Sequence, residues 1–164
     1  ELDRESKIDS LRELRPKYKT KSGRTVYGGG GITPDIYVPF KTTINSQTAK
    51  ILRNPKRPFF NFASKRSMSI TKESISFNDF KYNWNMPQNM FDAFFEHLQE
   101  DSIETIKDSL VQNLDFIENQ LKSEMAGLIW GKNESANIRL QIDNQIIDAI
   151  KHFDEADAFV KSIN

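Results

Sequence analysis

The sequence contains no cysteine among its 164 residues, so disulfides, thiolate metal sites and cysteine nucleophiles are excluded. This absence says little about compartment, because exported proteins need not use disulfides. The sequence also lacks an apolar run close to the ~20 residues that a membrane-spanning helix needs, and it shows no signal peptide. The chain begins at Glu1 instead of Met, so we expect a processed product or a part of a longer protein.

An excess of charge of either sign is missing as well, since 23 basic side chains balance 23 acidic ones. Nucleic-acid-binding proteins usually carry a basic excess, so no nucleic-acid partner is expected. Residues 50–72 nonetheless hold basic residues and no acidic one, namely Lys50, Arg53, Lys56, Arg57, Lys65, Arg66 and Lys72. We interpret them as a solvated basic face; the alternative is a surface for an acidic partner or for anionic lipid.

Hydrophobic residues make up only 37% of the chain, but twelve Phe and two Trp compensate because each aromatic buries a large area. We therefore expect a modest core within one domain, or within a small domain that carries an appendage. The simplest interpretation places in this core the aromatic residues Phe59, Phe60, Phe62, Tyr82, Trp84, Phe91, Phe94 and Phe95. A hydrophobic docking groove remains the alternative for some of them.

The first forty residues favour a short helix followed by strands. Apolar residues at near-helical spacing predict an amphipathic helix over residues 1–15, which Pro16 ends. Beyond a turn at Lys21–Gly23, residues 25–27 are typical of a strand. Four glycines follow at 28–31, and residues 36–38 predict a second strand after a turn at 32–35.

From residue 44 the pattern becomes helical. Asn45 or Ser46 caps a first predicted helix, and an aromatic helix follows Pro58. Residues 67–79 are typical of a loop, and the alternation of Phe80, Tyr82 and Trp84 indicates an extended stretch. A further helix is predicted to start at Pro87. A stripe of apolar residues from Ile103 to Leu128 predicts either one helix or two helices with a break near Asn113, and this helical stretch ends at Trp130–Gly131. A last helix is predicted through Ile138, Ile142, Ile146, Ile150 and Phe153.

The segment from Tyr18 to Val38, YKTKSGRTVYGGGGITPDIYV, resembles the C-terminal processing (tail-specific) serine peptidases, in the form found in Bacteroidetes. Leu121–Gly131 and Asp143–Ile150 are similar, more weakly, to the helical end of that family. The resemblance implies that residues 1–43 are the edge of the protease catalytic domain, with a glycine-cornered hairpin. It further implies that residues 44–164 form a helical C-terminal domain, which makes the fold mainly α.

The same resemblance implies that the catalytic machinery is elsewhere. The family uses a serine nucleophile and a lysine base, and both precede the strand that begins near Lys17. Ser22, Lys19 and Lys21 lie in a hairpin that we expect to be exposed, where a lysine stays charged and cannot activate a hydroxyl. We therefore assign no catalytic residue, no cofactor and no metal to this chain.

Other sites are weakly indicated. His97 and His152 are isolated, and we interpret each as a surface or partly buried helical residue. Glu118 and Glu124, like Asp154, Glu155 and Asp157, are interpreted as solvated helix faces; an acid–base pair is the alternative. The four glycines are interpreted as a structural corner, with contact to a bound peptide as the alternative.

The expected function follows from the resemblance. The parent protein would be a serine endopeptidase that cleaves exported polypeptides in the periplasm or at the cell envelope. This chain would be inactive itself and would support the core, shape substrate access or mediate self-association. Its expected partners are the polypeptide substrates, the rest of the catalytic domain and a second copy, whereas the alternative is a non-enzymatic helical interaction domain. A basic module that faces lipid or nucleic acid is the least favoured interpretation of the chain's function.

Overall fold

The computed structural model describes residues 14–21, 23, 25–29, 36–41, 44–68 and 70–161, with side chains of the last helix described as far as Ala158. The described chain is mainly helical, with a short antiparallel hairpin near its amino terminus. Its strands are β1 (Lys17–Lys19) and β2 (Thr25–Tyr27). Its helices are α1 (Ser46–Leu52), α2 (Pro58–Ser67), α3 (Phe77–Tyr82), α4 (Gln88–Glu100), α5 (Lys107–Val111), α6 (Leu114–Ile129), α7 (Lys132–Arg139), a 3-10 turn (Leu140–Ile142), α8 (Asn144–Lys151) and α9 (Phe153–Lys161).

The chain divides into two compact units, of which Phe40–Ile150 is the larger, and the other contains Glu1–Pro39 together with Lys151–Asn164. None of the described helices is long and apolar enough to cross a bilayer. The amphipathic helix predicted over residues 1–15 lies almost entirely outside the described residues.

The hairpin forms at a different place from the one the sequence predicted. Lys17 pairs with Tyr27 and Lys19 with Thr25, around the turn that Gly23 closes at φ +83°. The second strand predicted at residues 36–38 is wrong, because these residues have no strand partner among the described residues. The predicted turn at residues 32–35 and the last two glycines of the corner lie outside the described residues.

Two of the corner glycines have clear structural reasons. A side chain at Gly28 would collide with the ring of Tyr18, and its N–H donates to the Pro16 carbonyl at 2.8 Å, which extends the ladder. Gly29 has φ +78°, a conformation that non-glycine residues rarely adopt. The structural interpretation of these two glycines is confirmed.

The larger unit has an aromatic core around α2 and α4. Phe94 is fully buried, with its ring centroid 4.9 Å from that of Phe59 and 5.3 Å from that of Phe62. The buried members of this cluster are Ile51, Phe59, Phe62, Phe91, Phe94, Leu98, Ile103, Leu110, Ile117 and Leu121. Of the aromatic residues assigned to the core from sequence, Tyr82 is the exception, since it is 66% exposed.

A second cluster fills the space between α2, α3, α6 and α7 and contains Ala63, Phe80, Met125, Ala126 and Ile138. The extended stretch predicted at residues 80–84 is wrong because α3 is a helix, whose N-cap Ser76 accepts a hydrogen bond from the Asp79 N–H at 3.1 Å. The ring of Phe80 lies 5.0 Å from those of both Trp84 and Trp130. The last three residues of the predicted loop 67–79 therefore belong to α3.

Several predicted helix ends are confirmed and others shift. Asn45 caps α1 through its Oδ1, which accepts from the Thr48 N–H at 3.0 Å. The stripe from Ile103 to Leu128 breaks at Asn113, and α6 ends at Trp130 before Gly131, whose φ is +128°. Pro87 is the N-cap of α4 instead of its first residue.

Asp101 is the C-cap of α4, and the next helix begins only at Lys107, so the start of the stripe at Ile103 is not helical. The predicted last helix is not continuous either. It is divided into α7, the 3-10 turn, α8 and α9, and Asp143 starts α8 by accepting hydrogen bonds from the N–H groups of Gln145 and Ile146.

Candidate functional site

The two histidines occupy different environments. His97 on α4 is only 5% exposed, and its Nε2 lies 3.7 Å from the Asp101 carboxylate. The interpretation of His97 as a surface or partly buried residue is therefore wrong; its ring packs 5.7 Å from that of Phe62. His152 is half-buried, with Nδ1 3.2 Å from the Glu155 carboxylate.

The acidic residues singled out from the sequence are not gathered into one site. Glu118 is half-buried and accepts a hydrogen bond from the Met86 N–H at 2.8 Å, so it anchors the segment before α4 and is not merely solvated. Glu124 accepts from Gln120 at 3.0 Å. Asp154, Glu155 and Asp157 are exposed. Within the described ranges, no group of three His, Asp or Glu side chains is placed to hold a metal ion.

A buried lysine lies in α6. Lys122 is 9% exposed, and its Nζ donates to the carbonyls of Lys81 at 2.9 Å and Trp84 at 2.8 Å. The Nζ also lies 5.7 Å from the centroids of the Phe80 and Trp84 rings. Burial lowers the pKa of Lys122, and the neighbouring Glu118 carboxylate opposes that shift. The ammonium group thereby ties the end of α3 to α6.

A small polar network joins α6 to α7. Ser123 is fully buried, and its hydroxyl lies 3.0 Å from that of Ser135, which is 9% exposed. The Arg139 Nη1 donates to the Ser135 Oγ at 2.8 Å and to the Ser123 Oγ at 3.2 Å. The helices approach closely here, since a Cβ built on Gly127 would lie 3.3 Å from the Ser135 Cβ. The two hydroxyls, which are neutral, therefore fix the position of the Arg139 guanidinium.

Arg139 reaches a groove of about 340 Å³ in the larger unit. The groove lies among α1, α6, the 3-10 turn and the segment before α1. Its apolar lining consists of Phe40, Ile44, Leu52, Phe116 and Ile142. Its polar lining consists of Lys41, Arg53, Asn119, Gln120, Arg139, Asp143 and Asn144. A small apolar cavity with a few convergent polar groups is the usual form of a ligand site.

Helix α8 displays an apolar face to solvent. Four isoleucines, which we name the apolar stripe, are 39–56% exposed: Ile142 of the 3-10 turn, and Ile146, Ile147 and Ile150 of α8. Asn144 and Asp148, on the other side of the helix, are half-buried, and the Asn144 Oδ1 accepts from the Lys41 N–H at 3.1 Å. The polar side of α8 thus packs inward while its apolar side does not. Contiguous exposed apolar surface of this kind marks interaction sites.

The basic residues between positions 50 and 72 are all exposed, which agrees with a solvated basic face and equally with a surface for an acidic partner or anionic lipid. Arg57 differs from the rest in its backbone, since φ +51° places it in the left-handed region just before α2. Its guanidinium lies 4.2 Å from the centroid of the Phe60 ring, a cation–π contact that holds the side chain over α2.

Sequence reasoning missed Lys122, Arg139 and the groove. The sequence did carry a signal for Lys122. Leu121, Ser123, Met125 and Ala126 place apolar or small residues on more than one side of α6, as in a helix that is buried on several sides. No local signal exists for the groove, because its lining comes from three separate stretches of the chain.

Comparison with protein families finds a match to a family of unknown function, DUF8443, over residues 57–131. No curated protein and no solved structure gives a significant match. The matched span runs from the residue before α2 to Gly131, and it contains all of the buried hydrophobic residues of the described chain except Ile51 and Ile138. The chain is thus similar to this family through its aromatic core, whereas the hairpin, Arg139 and the apolar stripe lie outside the match.

Proposed function

We propose that this chain is the C-terminal region of a serine-type endopeptidase of the C-terminal processing family, and that the region itself is non-catalytic. It supports the protease core, shapes substrate access or mediates self-association. Location in the periplasm or cell envelope, and action on exported polypeptides, belong to the same proposal. The observation that carries it is the hairpin of β1 and β2 with its glycine corner.

The hairpin is too small to be stable alone. Each strand has three residues, and all of them are exposed except Tyr27. A two-stranded sheet is marginally stable in water, and an unpaired strand edge is a template for a further strand. We therefore place β1 and β2 at the edge of a larger sheet, which the protease catalytic domain would supply. The sequence order of strand, Ser-Gly turn, strand and glycine corner supports that assignment.

The buried lysine and the buried serine beside it do not form a serine–lysine pair. Lys122 is the buried lysine, but its Nζ already donates to two backbone carbonyls. Its neighbour Ser123 directs its hydroxyl to the Ser135 carbonyl at 3.1 Å. Consecutive residues of a helix do not face each other, so these two side chains do not meet.

The test compares this chain with the product of the complete gene. Residues 1–164 should neither hydrolyse casein nor react with a serine-directed fluorophosphonate, whereas the complete product should be labelled at a serine on the amino-terminal side of Glu1. A catalytic serine inside residues 1–164 would overturn the proposal. So would a coding sequence upstream of Glu1 that lacks a serine followed by a lysine, since the family's two catalytic residues lie there.

A second candidate function is a non-enzymatic helical interaction domain, which the apolar stripe on α8 favours. Four partly exposed isoleucines, one in the 3-10 turn and three on α8, cost solubility unless another surface covers them. Under this candidate the complete gene product carries no fluorophosphonate-reactive serine, yet replacement of Ile146 and Ile150 by Asp abolishes its association. The fluorophosphonate labelling distinguishes the two functions, since self-association belongs to the first proposal as well.

A further inference from the structure

We propose that the groove lined by Arg53 and Arg139 binds a small carboxylate with an apolar chain, such as a medium-chain fatty acid anion. This site lies in the helical unit, and it does not depend on whether the chain belongs to a protease. Three properties of the groove carry the proposal: its volume and lining, its charge, and the way Arg139 is held.

The volume and lining suit an apolar chain. At about 340 Å³ the groove lies at the lower end of the range for small-molecule sites. Its apolar side chains come from the segment before α1, from α1, from α6 and from the 3-10 turn, so one apolar body can contact all four at once. Removing apolar area from water supplies the main part of the binding free energy for such a ligand.

The charge of the groove is positive. Three cationic side chains line it, Lys41, Arg53 and Arg139, against one carboxylate, Asp143. The Asp143 Oδ1 already accepts two backbone N–H groups at the start of α8, at 2.9 Å and 3.2 Å. None of the three cations forms an ion pair with a carboxylate in the described part of the chain. The groove therefore attracts an anion.

Arg139 is held in place without being neutralised. Its Nη1 is fixed by the hydroxyls of Ser123 and Ser135, which are themselves buried between α6 and α7. Neutral acceptors orient the guanidinium and leave its charge available. An arginine that is oriented before binding loses little side-chain entropy when it pairs with a carboxylate, and it can do so through two parallel hydrogen bonds.

The test is titration calorimetry of the whole chain with sodium octanoate, below its micelle concentration, and with octanol at matched chain length. Octanoate should bind at one site, with an affinity at least tenfold above that of octanol and weaker in high salt. Absence of octanoate binding, or equal affinities for acid and alcohol, would overturn the proposal. A peptide with a free C-terminal carboxylate that bound more than tenfold tighter than octanoate would assign the groove to polypeptides and overturn it too.

Variants locate the site. Arg53→Gln and Arg139→Gln should each weaken octanoate binding about tenfold or more, since a charge-assisted hydrogen bond is lost. Lys50→Gln is the matched control, because Lys50 is an exposed cation of α1, three residues before Arg53, and does not line the groove. Unchanged binding in Arg53→Gln would refute the site. This exposed residue carries the test if Arg139→Gln, which also removes contacts to Ser123 and Ser135, fails to fold.

Discussion

Helices α6 and α8 are both amphipathic, but they are used in opposite ways. Along α6, residues Ile117, Leu121 and Met125 are buried against the aromatic core and the second cluster. Along α8, Ile146 and Ile150 remain exposed while the polar side packs against the chain. An apolar stripe therefore specifies a face to be covered and does not specify what covers it.

The largest effect is expected where the core aromatics meet. Phe94→Ala removes a fully buried ring that contacts Phe59 and Phe62, so the free energy of unfolding should fall by about 3–5 kcal/mol. Urea denaturation followed by circular dichroism measures this change. Tyr82→Ala is the control, because that ring is 66% exposed and its loss should change stability by no more than about 0.5 kcal/mol. Equal losses in both variants would contradict the placement of the core.

A smaller effect is expected at Lys122. Lys122→Met leaves the carbonyls of Lys81 and Trp84 without their donor, which should cost about 1–3 kcal/mol at neutral pH. Lys81→Met is the comparison variant. The Lys81 Nζ, on α3, lies 4.8 Å from the centroid of the Tyr82 ring, and its loss should lower the free energy of unfolding by less than the loss of the Lys122 ammonium does.

The pH dependence of unfolding gives a second measure of Lys122. Burial lowers the pKa of the Lys122 ammonium in the folded chain below its ordinary value of 10.5. At pH values between the lowered pKa and 10.5, the unfolded chain therefore binds this proton more tightly than the folded chain does. The lysine's contribution to stability therefore rises as pH increases from the lowered pKa towards 10.5. Subtracting the profile of Lys122→Met from that of the parent chain isolates this rise. A flat difference would show that the lysine is solvated.

The smallest effect on folding, and the sharpest contrast with α6, is expected on α8. Ile146→Asp and Ile150→Asp replace exposed side chains, so the midpoint of thermal unfolding should barely move, in keeping with a change of about 0.5 kcal/mol or less. Sedimentation velocity of the complete gene product should nevertheless show loss of association. If these variants unfold the chain instead, α8 packs by its apolar side and the contrast with α6 disappears.

Much of the fold could be predicted because local chemistry decides it. Asn45, Pro58, Asn113 and Trp130–Gly131 act on the residues next to them, and each prediction made from them is confirmed. The alternation at residues 80–84 misled because Phe80 and Trp84 are also four residues apart, which is helical spacing. The stripe that includes Ile142 and Ile146 predicted helix correctly but missed the break, since the Asp143 side chain starts a new helix there.

The candidate site was beyond sequence reasoning for a physical reason. Arg53 and Arg139 are 86 positions apart, and they line the same groove only because the chain folds so that the end of α1 and the end of α7 come together. The charge balance of the groove is likewise a property of the folded chain, since over the whole sequence acids and bases cancel. A net charge of zero therefore hides a local excess.

The contact between Gly28 and Tyr18 carries a consequence for how this hairpin can evolve. The ring occupies the volume that a Cβ at position 28 would need, so a larger residue there requires this ring, which is 60% exposed, to turn away from the strand. Because Gly28 also donates its N–H to Pro16, a shift of the backbone to relieve the collision would undo the end of the ladder. Among descendants of this sequence, a larger residue at position 28 should therefore be accompanied by a smaller side chain, or by a ring turned towards solvent, at position 18.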